Sequence, residues 1–235
     1  MLHLDKSLKL SDRKEETRVI ASPIRVVKYE LQEIKQHFDE SISVIQEQFD
    51  VADYLAENGK QDQACHVWRA QVVFLESAFD FFMHELTKYG LGQIYDSNWK
   101  ATDKYKNIQI DMKTVARALR DGKDSDWFLE YINGYYAGDT LVSYDSFRRQ
   151  MNLLGLNIQM IADEAFYARR ASEKTKEKIK RVLNQLFTRR NLIAHQSDRR
   201  HEDAVTNMIS REVVDRFIAD MNKIVNAIIK VASDM

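Results

Sequence analysis

Apolar side chains recur at spacings of three and four over long stretches of this chain of 235 residues, which is the period of an amphipathic α-helix. The first stretch is expected to begin at Ser22-Pro23, a typical helix start, and to end near Glu57, before Asn58-Gly59. Its apolar positions are Val27, Leu31, Ile34, Phe38, Ile42, Ile45 and Phe49. The pattern predicts one long N-terminal helix with a single apolar face.

A second long helix is predicted from the same period. Its apolar positions are Trp68, Val72, Leu75, Phe79, either Phe82 or Met83, and Leu86. Tyr89-Gly90 is expected to end it. Short helices joined by loops are expected between about residues 91 and 140, with Asp111 and Ser125 as caps. A further helix is expected between Ser143 and Gly155.

Two long helices are predicted for the C-terminal part. The first is capped by Ser172, the last begins near Ser210, and the first carries a stripe of Ile179, Val182, Leu183, Leu186 and Phe187. Seven glycines and one proline are too few for a turn-rich β protein, which favours long helices. We therefore predict an all-α antiparallel bundle, in which residues 1–61 form an N-terminal arm and long helix packing on a helical domain of residues 62–235.

Composition limits the partners that the chain can take. The formal net charge is −1, so any RNA contact would depend on a local basic patch. Cys65 is the only cysteine, which excludes an internal disulfide and a zinc site built from several thiols. The first residues carry charges too early for a signal peptide, and no apolar run is long enough to cross a bilayer. A cytoplasmic protein without a membrane partner, a metal ion or a cofactor is expected.

The stripe of the penultimate helix predicts further apolar side chains at about positions 190, 191 and 194, where Arg190, Asn191 and Ala194 stand. Arg190 and Asn191 interrupt an apolar face, and a buried guanidinium without a partner is costly. His195 follows Arg190 by five positions, which separates the two side chains by roughly 140° on an ideal helix. They can meet at one phosphate if the helix ends or distorts there, or if a second subunit completes the site.

Arginine and histidine suffice chemically to cleave RNA without a metal ion, because the 2′-hydroxyl of the substrate is itself the nucleophile. Histidine titrates near neutral pH and can accept or deliver the proton. Arginine offers a planar fork to the phosphate oxygens and stabilises the charge of the transition state. Asn191 would orient the histidine or bind a phosphate oxygen. The competing interpretation is structural, since arginines and a histidine near a helix C-terminus also favour the dipole and cap carbonyls.

Other charged residues are assigned to the same site. Arg189, Arg199 and Arg200 flank the motif and would form the basic patch that contacts the RNA backbone, with a solvated charged turn as the alternative. Glu76 and Asp80 lie four positions apart on one face of the second predicted helix. Each is expected to orient an arginine of the motif or to face solvent. A metal role for these carboxylates is not expected, because no clear histidine partner accompanies them.

The segment Arg190-Asn191-Leu192-Ile193-Ala194-His195 resembles the signature of the HEPN domain superfamily, which is arginine, a polar residue, a few further residues and histidine. In that family the motif lies on a late helix of an antiparallel bundle, and one more helix follows. Residues 74–86 resemble the early helix of the family, and residues 144–156 resemble a middle element of its RiboL-PSP subgroup. The resemblance spans roughly residues 62–232.

The resemblance implies a metal-independent endoribonuclease that acts as a homodimer with a composite site and serves as a toxin or an antiviral-defence effector. Its partners would be RNA, a second copy and an antitoxin or defence-system protein. Some relatives are instead non-catalytic modules that bind nucleotide, RNA or a protein, which is the alternative. One toxin branch carries, shortly after the histidine, a tyrosine that a partner nucleotidyltransferase modifies. Residues 196–200 of this chain contain no tyrosine.

Overall fold

The computed structural model describes residues 26–122, 126–169 and 172–235. Within these ranges every regular element is an α-helix, which confirms the all-α class predicted from the sequence. The helices are, in chain order, α1 (Leu31–Glu57), α2 (Gln61–Tyr95), α3 (Asp103–Lys106), α4 (Met112–Asp121), α5 (Trp127–Tyr136), α6 (Tyr144–Leu154), α7 (Ile158–Phe166), α8 (Thr175–Gln196) and α9 (Arg211–Ser233).

The helix α2 is the centre of the packing, because it contacts α1, α5, α6, α8 and α9. The short connection of residues 58–60 sets α1 antiparallel to α2. The buried face of α1 consists of Leu31, Ile34, Phe38, Ile42, Ile45, Phe49 and Ala52. The helix α7 packs on both α8 and α9, and α8 also lies against α2. The described helices share one apolar core and hold α8 between α2, α7 and α9.

The start of α1 differs from the prediction. Residues 26–30 are not helical, so a helix that begins at Ser22-Pro23 is wrong, although those two residues lie outside the described ranges. The helix begins at Leu31, where the Glu33 carboxylate accepts a hydrogen bond from the Glu30 N–H at 2.7 Å. This contact satisfies a backbone donor that the first turn leaves unpaired. The predicted end of the helix at Glu57 is confirmed.

The predicted stop at Tyr89-Gly90 is also wrong, since α2 continues to Tyr95. A Cβ atom on Gly90 would lie 2.8 Å from Cδ2 of Leu154 and 2.9 Å from the ring of Trp99. Gly90 is therefore a point of close packing inside a helix and not a C-terminal cap. A glycine in the sequence does not distinguish between these two uses.

The cap signals at Asp111, Ser143 and Gly155 are confirmed, whereas the predicted cap Ser125 lies outside the described residues. The Asp111 side chain accepts from the Thr114 N–H at 3.0 Å at the start of α4. Ser143 caps α6, and Gly155 ends it in the left-handed conformation, with φ of 80°. The predicted cap Ser172 is wrong, because α8 begins three residues later, at Thr175. The Thr175 hydroxyl donates to Asp163 of α7 and fixes the start of α8 there.

Candidate active site at the end of α8

The three residues predicted to act in catalysis lie on one continuous helix. The buried side chains of α8 are Ile179, Val182, Leu183 and Leu186. The helix ends where Ser197 adopts a left-handed conformation, with φ of 50°, and donates its N–H to the Leu192 carbonyl. Arg190, Asn191 and His195 all precede this end. No helix end or distortion therefore brings Arg190 and His195 together.

Arg190 interrupts the apolar stripe at a point where α2 supplies a carboxylate. The Nε atom of Arg190 lies 3.3 Å from Oε2 of Glu76, a residue that is 2% exposed. The pKa of Glu76 is raised above its ordinary value, mainly because the carboxylate is buried. The charge of Arg190 lowers this pKa, and the charge of Asp80 raises it, but burial has the largest effect. The other carboxylate oxygen, Oε1, is buried and has no hydrogen-bond donor among the described residues. Glu76, one of the two predicted orienting carboxylates, thus contacts Arg190.

Asn191 links Arg190 to the solvent-facing side of α8. The Nη1 atom of Arg190 donates a hydrogen bond to Oδ1 of Asn191 at 3.1 Å. One turn further on, His195 lines a shallow cavity of about 270 Å³ together with Asn191, Thr188 and Leu192. His195 is exposed, and no hydrogen bond or ion pair joins it to a described residue. Its imidazole is therefore accessible to a ligand in this cavity.

Arg190 and His195 lie on different sides of α8. Five residues separate the side chains by roughly 140° and advance the helix by roughly 7.5 Å, so the two side chains diverge. Ala194 and Asn191 lie between them, roughly 40° and 100° from Arg190. Ala194 is exposed and carries only a methyl group, so a ligand or another helix can approach the backbone closely. We call this exposed surface between Arg190 and His195 the arc.

Arg189, a predicted RNA-binding residue, is tied into the protein. Oδ2 of the fully buried Asp198 accepts from Nη2 of Arg189 at 2.8 Å and from Nε of Arg69 at 2.7 Å. Arg189 also donates to the Met208 carbonyl and Arg69 to the Asn207 carbonyl. The pKa of Arg189 is lowered, mainly because the guanidinium is buried. The charge of Asp198 raises this pKa and the charge of Arg69 lowers it, but burial has the largest effect. These contacts, which we call the Asp198 clamp, hold the connection between α8 and α9 against α2.

Arg199 and Arg200, the other two predicted RNA-binding residues, are exposed on the same connection. Nη1 of Arg199 donates to the Ala204 carbonyl at 2.7 Å, and the Arg200 guanidinium pairs with Asp203. Exposed pairs of this kind contribute little stability and exchange readily for other partners. Of the three arginines predicted to contact RNA, these two remain accessible to a ligand.

Asp80, the second predicted orienting carboxylate, contacts no arginine among the described residues. Its Oδ1 accepts from the Leu141 N–H at 2.7 Å, and its Oδ2 lies 3.8 Å from Nε2 of His84. His84 in turn lies 3.0 Å from the Asp139 carbonyl oxygen. Asp80 therefore anchors the segment before α6, whereas Glu76 reaches α8.

A groove between α8 and α9 adjoins the cavity at His195. It encloses about 590 Å³, and Thr188 and Leu192 line both spaces. Leu192 and Phe217 are half-buried and form part of its apolar wall. Arg216 is exposed at its edge and has no ion-pair partner in the part of the chain that the structure describes. His195 thus lies beside a surface that mixes apolar and cationic side chains.

Asp198 and Arg69 are the residues of this region that sequence reasoning missed. Asp198 stands in a charged turn, where a solvated position is the simpler expectation. It is buried because Ser197 and Asp198 both adopt left-handed conformations, with φ of 50° and 57°, and turn the chain back. The one available signal is that aspartate tolerates this conformation better than most residues. Arg69 is 129 residues away, and the fold alone brings it to Asp198.

Neither a membrane-spanning helix nor a metal-binding cluster occurs in residues 26–122, 126–169 and 172–235. No helix of these ranges combines the length and the apolar character needed to cross a bilayer. No group of three or more His, Cys, Asp or Glu side chains is placed there to hold a metal ion.

Comparison with protein-family models, with curated proteins and with solved structures finds no match to this chain. A function must therefore be argued from the side chains of α8 and their neighbours.

Proposed function

We propose that the protein is a metal-independent endoribonuclease of the HEPN type, in which Arg190, Asn191 and His195 act on RNA at a site completed by a second copy of the chain. The observation that carries this proposal is the position of Asn191. Its side-chain oxygen holds Arg190, and its side chain lines the same solvent-open cavity as His195. The resemblance of residues 190–195 to the HEPN signature supports the same assignment.

The proposed reaction is a transesterification within the RNA strand. The 2′-oxygen attacks the adjacent phosphorus and loses its proton to a base, while the bond to the 5′-oxygen of the next nucleotide breaks and that oxygen gains a proton. The products are a 2′,3′-cyclic phosphate and a 5′-hydroxyl end. His195 acts as the acid or the base in these transfers. Arg190 stabilises the negative charge on the non-bridging oxygens, and Asn191 orients Arg190.

The divergence of Arg190 and His195 on one helix is the reason for proposing a dimer. Each site would take Arg190 and Asn191 from one protomer and His195 from the other. A two-fold interface suits this arrangement, because each chain presents to its partner what the partner presents in return. The exposed Ala194 leaves room for a second α8 at the arc, and the apolar wall beside Phe217 supplies surface for a second copy to cover.

The proposal is tested by RNA cleavage in the presence of EDTA. We expect Arg190→Ala and His195→Ala each to lower the rate by roughly 100-fold or more, since each removes a group that acts in the transition state. Arg120→Ala is the matched control, because Arg120 lies on α4 and pairs with its neighbour Asp121. It should cleave like the wild type. Equal rates for the wild type and both active-site variants would overturn the proposal.

A mixture of the two inactive variants tests whether the site is shared. After subunit exchange in an equal mixture, about half of the dimers contain one copy of each variant, and each of these has one complete site out of two. About a quarter of the wild-type activity should therefore return. An absence of recovery, in a mixture shown to contain mixed dimers, would contradict a site that takes Arg190 and His195 from different protomers.

The second candidate function is a HEPN module that binds nucleotide, RNA or a protein without cleaving. The ion pair of Arg190 with the buried Glu76 favours it, because a structural arginine makes such a contact. This alternative predicts that RNA binding survives in EDTA, that no product forms and that His195→Ala changes neither result.

A further inference from the structure

A second cavity lies on the Arg190 side of α8 and has no part in the reaction described above. It encloses about 850 Å³ between the first turns of α2 and the connection from α8 to α9, which is within the usual range for ligand sites. The helix α8 contributes Ile193 to its wall, and Ser197, the residue that follows α8, lines it as well. Ile193 lies roughly 60° from Arg190 around the helix axis, on the side away from His195. The cavity therefore adjoins the Arg190 edge of the arc.

The wall of this cavity carries more positive than negative charge, although the chain as a whole has a net charge of −1. The residues that line it include three with basic side chains, Arg69, Arg199 and His66. Asp62 is the one carboxylate among the described lining residues. The nearby Asp198 carboxylate is shared by Arg69 and Arg189, so it offsets only one of these two positive charges. Such a cavity favours an anion.

Arg69 is held in a position suited to binding an anion. Its Nε donates to Asp198 at 2.7 Å and its Nη2 to the Asn207 carbonyl at 2.9 Å. Its Nη1 makes no hydrogen bond with any residue that the structure describes. Because the guanidinium is already fixed, a phosphate oxygen can bind to Nη1 with little loss of side-chain entropy. His66, exposed and likewise without a described partner, can add a second contact.

The lining of the cavity also includes apolar side chains that suit a base or a ribose. These are Ile193, Ile209 and Ala70. A nucleotide combines an anionic group with a flat, largely apolar base, and this cavity offers both kinds of surface within one space.

We infer that this cavity binds the ribonucleotide next to the scissile phosphate, with its phosphate at Arg69, Arg199 and His66 and its base or ribose against Ile193. The identity of the ligand as RNA rests on the proposed ribonuclease function, whereas the cavity and its charges do not. In this arrangement, an RNA strand that passes Arg190 toward Ile193 would place its next nucleotide in the cavity. The cavity thus supplies the local positive surface that a chain of net charge −1 needs in order to hold RNA.

Cys65 provides a direct reporter of this site. It is the only cysteine of the sequence, it lines the cavity and it is half-buried. The experiment measures the rate of its alkylation by iodoacetamide in His195→Ala protein with EDTA, so that RNA stays intact. A short single-stranded oligoribonucleotide of mixed sequence should slow the alkylation severalfold, and adenosine 5′-monophosphate should do so at higher concentration. An alkylation rate that saturating oligoribonucleotide leaves unchanged would overturn the inference.

Substitutions in the wall separate the cavity from general surface charge. Arg199→Ala and His66→Ala together should weaken oligoribonucleotide binding by roughly tenfold and reduce its salt dependence. Both residues are exposed, so the fold should persist. Arg148→Ala, at an exposed arginine of α6, should bind like the parent protein. Ala70→Phe fills the cavity without removing a charge and should also weaken binding. Unchanged binding by Ala70→Phe would place the RNA elsewhere.

The two proposals fail in different ways. If the wild type does not cleave RNA but the oligoribonucleotide still protects Cys65, the ribonuclease is wrong and the cavity is a nucleotide site. If the wild type cleaves RNA and Ala70→Phe cleaves it with the same KM, the ribonuclease stands and the cavity inference is wrong.

Discussion

Asp198→Asn removes the charge at the centre of the Asp198 clamp and keeps the shape of the side chain. The Asp198 side chain is 0% exposed, and the side chains of Arg69 and Arg189 are 12% and 18% exposed. Removal of one partner from a buried ion pair costs about 3–5 kcal/mol, because the remaining charge stays in a site of low dielectric. Each arginine keeps a carbonyl acceptor and some contact with water. The expected loss is therefore at the lower limit, about 3 kcal/mol.

Thermal unfolding followed by circular dichroism measures this loss. For a chain of this size, each kcal/mol lowers the Tm by about 2–4 °C, so Asp198→Asn should lower it by about 6–12 °C. Asp203→Asn is the matched control, since Asp203 lies on the same connection and its side chain is 44% exposed beside Arg200. Its loss should stay below about 0.5 kcal/mol.

Equal Tm values for Asp198→Asn and Asp203→Asn would refute the reasoning, because burial is what distinguishes the two carboxylates. A double-mutant cycle gives a second check. Arg69→Gln should cost less in the Asp198→Asn background than in the wild type, since the pair is already broken. Strict additivity would show that Asp198 and Arg69 do not stabilise each other.

Two further substitutions test the environment of residues on α2, and a third on α5 serves as a control. Burial raises the pKa of Glu76 above its ordinary value of 4.5, so the folded state keeps this proton to higher pH than the unfolded state does. The Tm of the wild type relative to Glu76→Gln should therefore fall as pH rises from 4.5 through the folded pKa, and a rise over that range would contradict the assignment. Gly90→Ala brings a Cβ to 2.8 Å from Leu154 and 2.9 Å from Trp99 and should destabilise the fold by about 1–3 kcal/mol in urea unfolding. The control is Gly134→Ala on α5, where the new Cβ would meet open space. It should stabilise the fold by up to about 1 kcal/mol. Equal effects of the two alanine substitutions would contradict close packing at Gly90.

Features set by neighbours in the sequence could be predicted, and features set by distant residues could not. The cap at Asp111 and the left-handed stop at Gly155 depend on side chains within a few positions, and both are confirmed. The sequence predicts the same kind of stop at Gly90, but α2 continues through this residue. Gly90 is used there for close packing against Leu154 and Trp99, which no local sequence pattern reveals.

The candidate site shows the same division. The helical period alone predicts that Arg190 interrupts an apolar face and that His195 lies on another side of α8. The partner of Arg190 could be narrowed to Glu76 or Asp80, because both stand on one face of α2. The structure selects Glu76 by bringing it to 3.3 Å from Arg190. The Asp198 clamp was beyond prediction, since its members come from three separate parts of the chain.

The central claim, RNA cleavage by Arg190 and His195 without a metal ion, is tested most directly by the chemistry of the product ends. The measurement is mass spectrometry of the fragments that the wild type releases from RNA in EDTA. We expect 2′,3′-cyclic phosphate and 5′-hydroxyl ends, and neither product from His195→Ala or Arg190→Ala. Fragments with 3′-hydroxyl and 5′-phosphate ends, or cleavage that appears only when Mg²⁺ is added, would contradict the claim.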